Sequence, residues 1–284
     1  MSRTQFRNLT ISNAFIFSAA MADEEICRRV IELALGIPIA KVHVCTEKTM
    51  VYHPEYHGVR LDVYAADDKN TRFNIEMQVV FQRWLPKRDR YYHSQLDMDL
   101  LSVGESYENL PDTYVIFICD FDPFGKGLYR YTCETRCCEE NFPIQNGTKS
   151  IYLNTKGRNS QDVQPELVEF LRYIRATQEE CEGEFYDPFV KHLQEKVRRI
   201  KDDRSMEERY MLLEEMMRNE RKAGILEGRR REKAECVIAL LETKGEVTSG
   251  LRSRIESEES LEKLSQWLLL AAGSASPEDF AKKM

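Results

Sequence analysis

The stretch at residues 58–81 reads GVRLDVYAADDKNTRFNIEMQVVF, and it decides the fold. Residues 59–64 and residues 74–79 each alternate between apolar and polar side chains, which is the period of a β-strand. Between them lies the polar cluster DDKN at residues 67–70, and clusters of this composition turn a chain. The stretch therefore predicts an antiparallel hairpin with one apolar face and one polar face.

A turn centred on Lys69 sets the register of this hairpin. On the polar face Arg60 then lies opposite Gln78, and Asp62 lies opposite Glu76. Two directly opposed carboxylates are roughly 5 Å apart, where like charges destabilise a sheet. The apolar face is uniform in the same register, because its opposed pairs are Val59 with Val79, Leu61 with Met77 and Val63 with Ile75.

The opposed acids need either a proton on one of them or a cation between them. A divalent cation is the simpler answer near neutral pH, since Mg²⁺ is commonly held by one or two carboxylates together with water and substrate phosphate. The alternative is that Asp62 and Glu76 are unrelated acids on a solvated polar face. The spacing alone leaves both interpretations open.

The composition limits the class of protein. The chain has 284 residues, 42% of them hydrophobic, which suits one large or two modest globular domains. The formal net charge of −7 gives no overall basic character, so any contact with DNA must come from a local patch. No apolar run is long enough to cross a bilayer, so we expect no membrane segment and a cytoplasmic location.

The cysteines and histidines give little support for a zinc site. A cytoplasmic protein with eight cysteines is expected to carry them as free thiols. No second pair of ligands with the spacing of a zinc site accompanies Cys133, Cys137 and Cys138. His53 and His57 fall in a loop that contains proline and glycine and not on a helix, where a spacing of four would bring them together.

The order of elements predicts an α/β domain with a mixed sheet. A helix opens at Asp23 and ends at Gly36, a strand follows at residues 41–53, and the hairpin comes next. A second helix has Pro86 in its first turn and runs to about residue 104. The apolar run at residues 114–119 is typical of a strand buried on both faces, and residues 128–133 and 149–153 are further strands.

The character changes after Gly157, where helices dominate. We divide the chain into a sheet domain at residues 1–160, a helical extension at 161–204, a long charged helical segment at 205–250 and a small helical module at 251–284. Gly224 and Gly228 interrupt the charged segment, which predicts a kink or a helix contact. Its basic part, residues 218–233, is either a solvated helix face or a patch that contacts phosphate.

Several stretches, taken in order, resemble the Rpn-type recombination-promoting nucleases and transposases of the PD-(D/E)XK superfamily. The resemblance covers roughly residues 10–160. The stretches that carry it are NAFIF at residues 13–17, GVRLDV at 58–63, FNIEMQ at 73–78, PKRDRYY at 86–92, VIFICDFDPFG at 115–125 and IYLN at 151–154.

The resemblance implies a sheet flanked by helices and a divalent-metal site, with Mg²⁺ or Mn²⁺, that hydrolyses DNA. Asp62 and Glu76 fall on the two acids of the family, and the Met77 carbonyl is a further candidate ligand. Gln78 falls where the superfamily usually has lysine, although this branch often carries glutamine. A homodimer would suit the cutting of two strands by one site in each copy.

Two departures from the family pattern bear on activity. Ala14 stands where family members often have aspartate after the asparagine of the N-terminal arm. Gln78 is neutral and can orient water or a phosphate oxygen but cannot supply charge. An acid of the first helix, among residues 23–25, is a further candidate for the site, although helix capping also explains these residues.

The candidate DNA contacts are basic and aromatic. Arg88, Arg90, Tyr91 and Tyr92 could contact the phosphate backbone or stack on bases. In the alternative, one tyrosine packs on the sheet and the arginines pair with nearby acids. Arg60 lies beside Gln78 in the predicted register, where it would partly replace the missing positive charge.

Three classes of function follow. The first is a metal-dependent DNA endonuclease linked to recombination or a mobile element. The second is a nuclease-fold protein with weak or lost catalysis that binds DNA or protein. In the third, the C-terminal helices are the working part, and the α/β domain is a platform.

Overall fold

The computed structural model describes residues 3–46, 49–50 and 59–284. The chain divides into two compact units, Met1–Glu208 and Arg209–Met284. The described helices are α1 (Arg3–Arg7), α2 (Ala14–Met21), α3 (Glu24–Leu35), α4 (Leu85–Leu100), α5 (Pro165–Arg175), α6 (Gln178–Cys181), α7 (Pro188–Asp202), α8 (Arg204–Glu242), α9 (Ser249–Glu256), α10 (Leu261–Gly273) and α11 (Pro277–Lys283). The described strands are β1 (Val42–Thr46), β2 (Thr49–Met50), β3 (Val59–Arg60), β4 (Val63–Asp67), β5 (Arg72–Gln78), β6 (Thr113–Cys119), β7 (Arg130–Glu134) and β8 (Thr148–Asn154).

The main sheet has six strands in the order β1-β4-β5-β6-β8-β7. Strand β6 is parallel to both of its neighbours, β5 and β8, and the other neighbouring pairs of this sheet are antiparallel. Strands β2 and β3 form a separate antiparallel pair. This mixed sheet with flanking helices, followed by an all-helical C-terminal region, confirms the predicted fold class. The division into four segments stays a prediction.

The hairpin of β4 and β5 has the predicted register. Val63 pairs with Ile75, and Ala65 pairs with Phe73. The turn closes through a hydrogen bond from the Asn70 amide to the Asp67 carbonyl. Asn70 adopts a positive φ of 68°, which asparagine tolerates better than most residues. Apolar alternation and turn chemistry were therefore sufficient to set this part of the sheet.

The first arm of the hairpin is shorter than predicted. The chain bends at Asp62, and β3 pairs with β2, so that Arg60 lies opposite Thr49 and not opposite Gln78. The predicted pairing of Val59 with Val79 is wrong for the same reason. Alternation continues through the bend in the sequence, and it carries no signal that the strand changes partner.

The polar face of β5 is buried. Asn74 is fully buried, Glu76 is 3% exposed and Gln78 is 9% exposed, so a solvated polar face is excluded. Helix α4 supplies apolar side chains to a core cluster that also contains Phe117 and Tyr152 of the sheet. The loop before α4 crosses from the end of β5, and Pro86 lies in the first turn as predicted, although the helix ends at Leu100.

Helix α3 begins and ends as its sequence indicates. The Asp23 side chain accepts hydrogen bonds from the amides of Glu25 and Ile26 at its N-terminus. Gly36 ends it with a φ of 74°, a conformation that favours glycine. The strand predicted at residues 41–53 is divided into β1 and β2, and residues 47–48 and 51–58 lie outside the described part.

The second unit has its own core. Val237 and Leu241 of α8 pack with Ile255, Trp267 and Phe280 of the later helices. Helix α8 is continuous through the two glycines. A Cβ added at Gly224 or Gly228 would meet no atom within 4 Å in the described chain, so the predicted helix contact at these glycines is absent from this structure.

Candidate active site

Asp62 and Glu76 are brought together where β4 begins and β5 approaches its end. The Asp62 amide donates to Glu76 Oε1 at 3.3 Å. The Met77 amide donates to Asp62 Oδ2 at 3.1 Å. Each carboxylate thus accepts a backbone N–H from the opposite strand, next to the other acid. The acids approach one another as the sequence register predicted, and they are held in place by the backbone.

Two side chains of α4 lie on Glu76. The Tyr92 hydroxyl donates to Glu76 Oε2 at 3.3 Å, and Arg88 Nη2 lies 3.6 Å from the same oxygen. Residues four apart share a helix face, so one face of α4 delivers both groups. The Arg88 guanidinium is also 5.3 Å from the ring centroid of Tyr92 and 5.5 Å from that of Phe117, which fixes it over the aromatic core.

Burial, and after it the neighbouring Asp62 carboxylate, together raise the pKa of Glu76 from its ordinary 4.5 to about 8. The Arg88 cation acts in the opposite sense and lowers this pKa. The balance leaves Glu76 able to hold a proton near neutral pH when no cation is bound. A divalent cation between the acids would displace that proton.

Gln78 lies at the end of β5. Among the described residues, its side chain forms no hydrogen bond with Asp62 or Glu76. Its amide nitrogen donates to the Met77 carbonyl at 2.9 Å. The candidate ligand Met77 O is therefore already an acceptor, although a carbonyl has a second lone pair.

The predicted DNA contacts divide into two sets. Arg88 and Tyr92 face Glu76, which agrees with the alternative that a tyrosine packs on the sheet and an arginine pairs with an acid. Tyr92 is too buried to stack on a base. Arg90 is exposed, and Tyr91 is half-buried against the core cluster. The side chain of Arg60 lies outside the described part of the structure.

The sequence did not reveal the polar network beneath α4. Asp89, which is 8% exposed, accepts a hydrogen bond from the Tyr152 hydroxyl at 2.8 Å. His93 contacts Ser150 Oγ at 3.1 Å through Nε2 and Thr113 Oγ1 at 2.9 Å through Nδ1. One signal of this network was present in the sequence. Asp89 and His93 are one helical turn apart, and they directly follow Arg88 and Tyr92, respectively.

Helix α2 also contacts the site. The Ser18 hydroxyl donates to the Asp62 carbonyl at 3.3 Å, and nothing in the sequence marks this serine. Asn13 caps the helix by accepting from the amides of Phe15 and Ile16. Ala14, at the first position, is exposed and lies one turn before Ser18, so an aspartate there would stand on the side of the helix that faces Asp62.

The acids at the start of α3 have other partners. Asp23 caps the helix and receives the Lys196 ammonium at 3.0 Å. Glu24 contacts His43 at 3.2 Å, and Glu25 pairs with Arg28 at 2.6 Å. Capping and ion pairing therefore account for all three residues.

The donor set of the site suits a hard divalent cation. Asp62 and Glu76 supply carboxylate oxygens, and the Met77 carbonyl adds a third oxygen, the ligand type that Mg²⁺ and Mn²⁺ prefer. Among the described residues there is no group of three or more His, Cys, Asp or Glu side chains placed to hold a metal. A cation here would complete its shell with water and phosphate oxygens, which is common for Mg²⁺.

The eight cysteines are free, as expected, and Cys133 and Cys138 are exposed. His53 and His57 lie outside the described residues. No described helix is long and apolar enough to cross a membrane.

A family model described as PD-(D/E)XK nuclease family transposase matches residues 15–228, which is more than half of the chain. The chain belongs to this family. No curated protein and no solved structure matched it. Membership supports a nuclease or transposase-like role with DNA as the substrate, and PD-(D/E)XK nucleases generally use divalent metals.

Proposed function

We propose that this PD-(D/E)XK family member is a divalent-metal-dependent DNA endonuclease that hydrolyses phosphodiester bonds. The observation that carries the proposal is the pairing of the half-buried Asp62 with the buried Glu76, each accepting a backbone amide beside the other. Two acids in a buried site are costly unless a cation joins them. Recombination or a mobile element is the proposed setting, and a cytoplasmic location and a homodimer stay predictions from the sequence.

The residues of the chain divide the work of hydrolysis. Asp62 and Glu76 would hold Mg²⁺ or Mn²⁺, with the Met77 carbonyl as an additional ligand. Bound there, the cation supplies a water of lowered pKa and stabilises negative charge on the phosphate. Tyr92 orients the Glu76 carboxylate through its hydroxyl, which keeps that acid in one position for the ligand.

Arg88 is the positive charge nearest to Glu76 in the described structure. Its Nε and Nη2 atoms are buried and have no hydrogen-bond partner among the described residues, so Arg88 would act on a phosphate through its charge. We propose that Arg88 supplies part of the transition-state stabilisation that lysine at position 78 supplies elsewhere in the superfamily. Beyond its bond to the Met77 carbonyl, the Gln78 side chain has a second N–H and a carbonyl oxygen that can orient water or a phosphate oxygen.

Plasmid nicking in Mg²⁺ or Mn²⁺ tests the site. Asp62→Asn and Glu76→Gln should each remove nicking, since both preserve shape but delete a ligand charge. Asp68→Asn is the matched control, because Asp68 is an exposed acid in the turn of the same hairpin, and it should nick as the wild type does. Equal nicking by the wild type and Asp62→Asn would refute the assignment.

A second candidate is a binding or assembly protein with weak or lost catalysis. The observation that favours it is the Gln78 amide bound to the Met77 carbonyl, which leaves a neutral group where lysine is usual. Calorimetric titration with Mg²⁺ and Mn²⁺ separates the two candidates. Binding that Glu76→Gln abolishes supports the nuclease, and no binding at millimolar metal supports the second candidate.

A further inference from the structure

The loop between β5 and α4 exposes large apolar side chains directly beside the candidate site. Val79 is 51% exposed, Val80 66%, Phe81 58% and Trp84 62%. We call these four residues the apolar loop. It begins at the residue after Gln78. Contiguous exposed apolar surface of this kind usually marks a binding site.

The apolar loop is held in place. The Phe81 ring packs edge to face on Phe121, with ring centroids 5.4 Å apart, and Phe121 packs against the core cluster beneath α4. The carbonyl of Trp84 accepts the amides of Lys87 and Arg88 in the first turn of α4. The Trp84 side chain is therefore presented to solvent from a fixed backbone.

The loop is also joined to the carboxylates. Gln82, inside the loop segment, accepts a hydrogen bond from Arg88 Nη1 at 3.2 Å, and Arg88 Nη2 lies 3.6 Å from Glu76. A short chain of contacts thus connects the exposed aromatic residues with the place where a phosphodiester would be cut.

The charge around the loop is positive. Between residues 79 and 90 the exposed charged residues are Arg83, Lys87 and Arg90, and the acid of this segment, Asp89, is buried on Tyr152. This local surface contrasts with the net charge of −7. Aromatic side chains interleaved with cations suit a nucleic-acid strand, because the cations bind phosphates and the rings stack on bases.

We infer that Phe81 and Trp84 of the apolar loop stack on unpaired bases next to the phosphate at the carboxylate site, so that the preferred substrate is single-stranded DNA or DNA with an unpaired segment. In an intact duplex the faces of the bases are covered by their neighbours, and mainly edges and phosphates are accessible. This inference rests on the proposed nuclease function and adds the class of substrate.

The two tryptophans allow a direct test with the full chain. Trp84 is exposed, whereas Trp267 is 7% exposed and lies in the core of the second unit. An oligothymidylate of about twelve nucleotides, within the usual site size for single strands, should quench Trp84 fluorescence on an Asp62→Asn background without metal. Its duplex with oligoadenylate should quench weakly. Trp84→Phe should abolish the quenching while retaining most of the binding.

Affinity measurements complete the test. Trp84→Ala should weaken binding of the oligothymidylate at least about fivefold, the lower end for loss of one stacked base. Tyr107→Ala is the matched control, since Tyr107 is an aromatic residue of the same unit that is 83% exposed, and it should bind as the parent does. Circular dichroism of each variant establishes that it is folded.

The outcomes separate this inference from the proposed function. If nicking depends on Asp62 but Trp84→Ala binds single strands normally, the stacking role is refuted and the nuclease stands. Equal quenching by single strand and duplex refutes the preference for unpaired bases. If Trp84→Ala changes only the sedimentation of the protein, the loop contacts a second copy and the inference fails. Trp84-dependent quenching with Asp62-independent nicking supports the loop and refutes the site.

Discussion

Glu76 is the residue on which the chemistry of the site converges. It faces Asp62, accepts from Tyr92 and lies near Arg88. Its pKa is raised above the ordinary value by burial. Stability that depends on such a group is fully present below pH 4.5, the unfolded value, and is lost as the pH rises toward about 8. Without metal the protein should therefore be less stable at pH 8 than at pH 6.

Replacement of Glu76 by glutamine tests this linkage. In EDTA the wild type should lose up to about 1.4 kcal/mol of stability per pH unit across this window from Glu76 alone, and Glu76→Gln should lose less. In Mg²⁺ the wild type should gain thermal stability, increasingly so at higher pH, and the variant should not. Thermal denaturation at several pH values measures both effects, and a Mg²⁺ shift in the variant equal to that of the wild type would contradict the prediction.

Replacement of Gln78 by lysine tests the role of charge. Gln78→Lys should increase nicking near neutral pH at least about tenfold, since an oriented cation stabilises developing charge, and it should lower the pH at which nicking begins. Gln78→Met, which has similar length and no charge, should give no gain. A Gln78→Lys protein that folds and nicks more slowly than the wild type would show that Arg88 already fills this role.

Helix α4 is the element that turns a polar strand face into a buried site. It delivers Arg88 and Tyr92 to Glu76, and the next residues, Asp89 and His93, to the sheet. Alternation in the sequence predicted the register of β4 and β5 and the meeting of Asp62 with Glu76. Alternation could not predict that β3 pairs with β2, because pairing with β2 and pairing with β5 satisfy the same pattern.

The sequence could not predict that the polar face of β5 is buried, for a related reason. The pattern of β5 states which residues share a face, but the covering helix is set by how the chain crosses from β5 to β6. For Arg88 and Tyr92 the sequence left open DNA contact or inward packing and ion pairing, since no local signal says which way these side chains face. Ser18 joins the site from α2 across 44 residues of sequence, a distance at which short-range patterns carry no information.

The contact of Asp89 with Tyr152 is the clearest test of how α4 is fixed. Tyr152→Phe should destabilise the first unit by about 1–3 kcal/mol, the cost of leaving a buried acceptor without its donor. Tyr107→Phe, at an exposed position, should have no measurable effect. Urea denaturation measures both effects. An unchanged midpoint would mean that the hydrogen bond contributes nothing net.

At the scale of the whole molecule, the candidate site belongs to the first unit. Ser18, Asp62, Glu76, Arg88 and Tyr92 all precede Glu208, where that unit ends. The second unit has a separate apolar core, and α8 exposes residues 215–229 on every side. For residues 218–233 of this helix the sequence left open a solvated face or a contact with phosphate, and the family match ends within the helix at residue 228.

Removal of the second unit distinguishes the nuclease from a helical scaffold. A fragment of residues 1–208 should retain metal-dependent nicking and its thermal shift in Mg²⁺, because the site contacts come from this unit. If a fragment with a cooperative thermal transition loses both nicking and the thermal shift in Mg²⁺, the helical unit is needed for function. Asp62→Asn in the same fragment provides the inactive control.

The short sequence separation of the two acids has a consequence for refolding kinetics. Asp62 and Glu76 are 14 residues apart and joined by a hairpin, a motif that forms in about 1–10 μs, whereas the parallel pairing of β5 with β6 requires a slower crossover. We therefore expect the acids to meet before Arg88 reaches them. We expect acid or Mn²⁺ to accelerate refolding in stopped-flow experiments, and Glu76→Gln to refold rapidly without either.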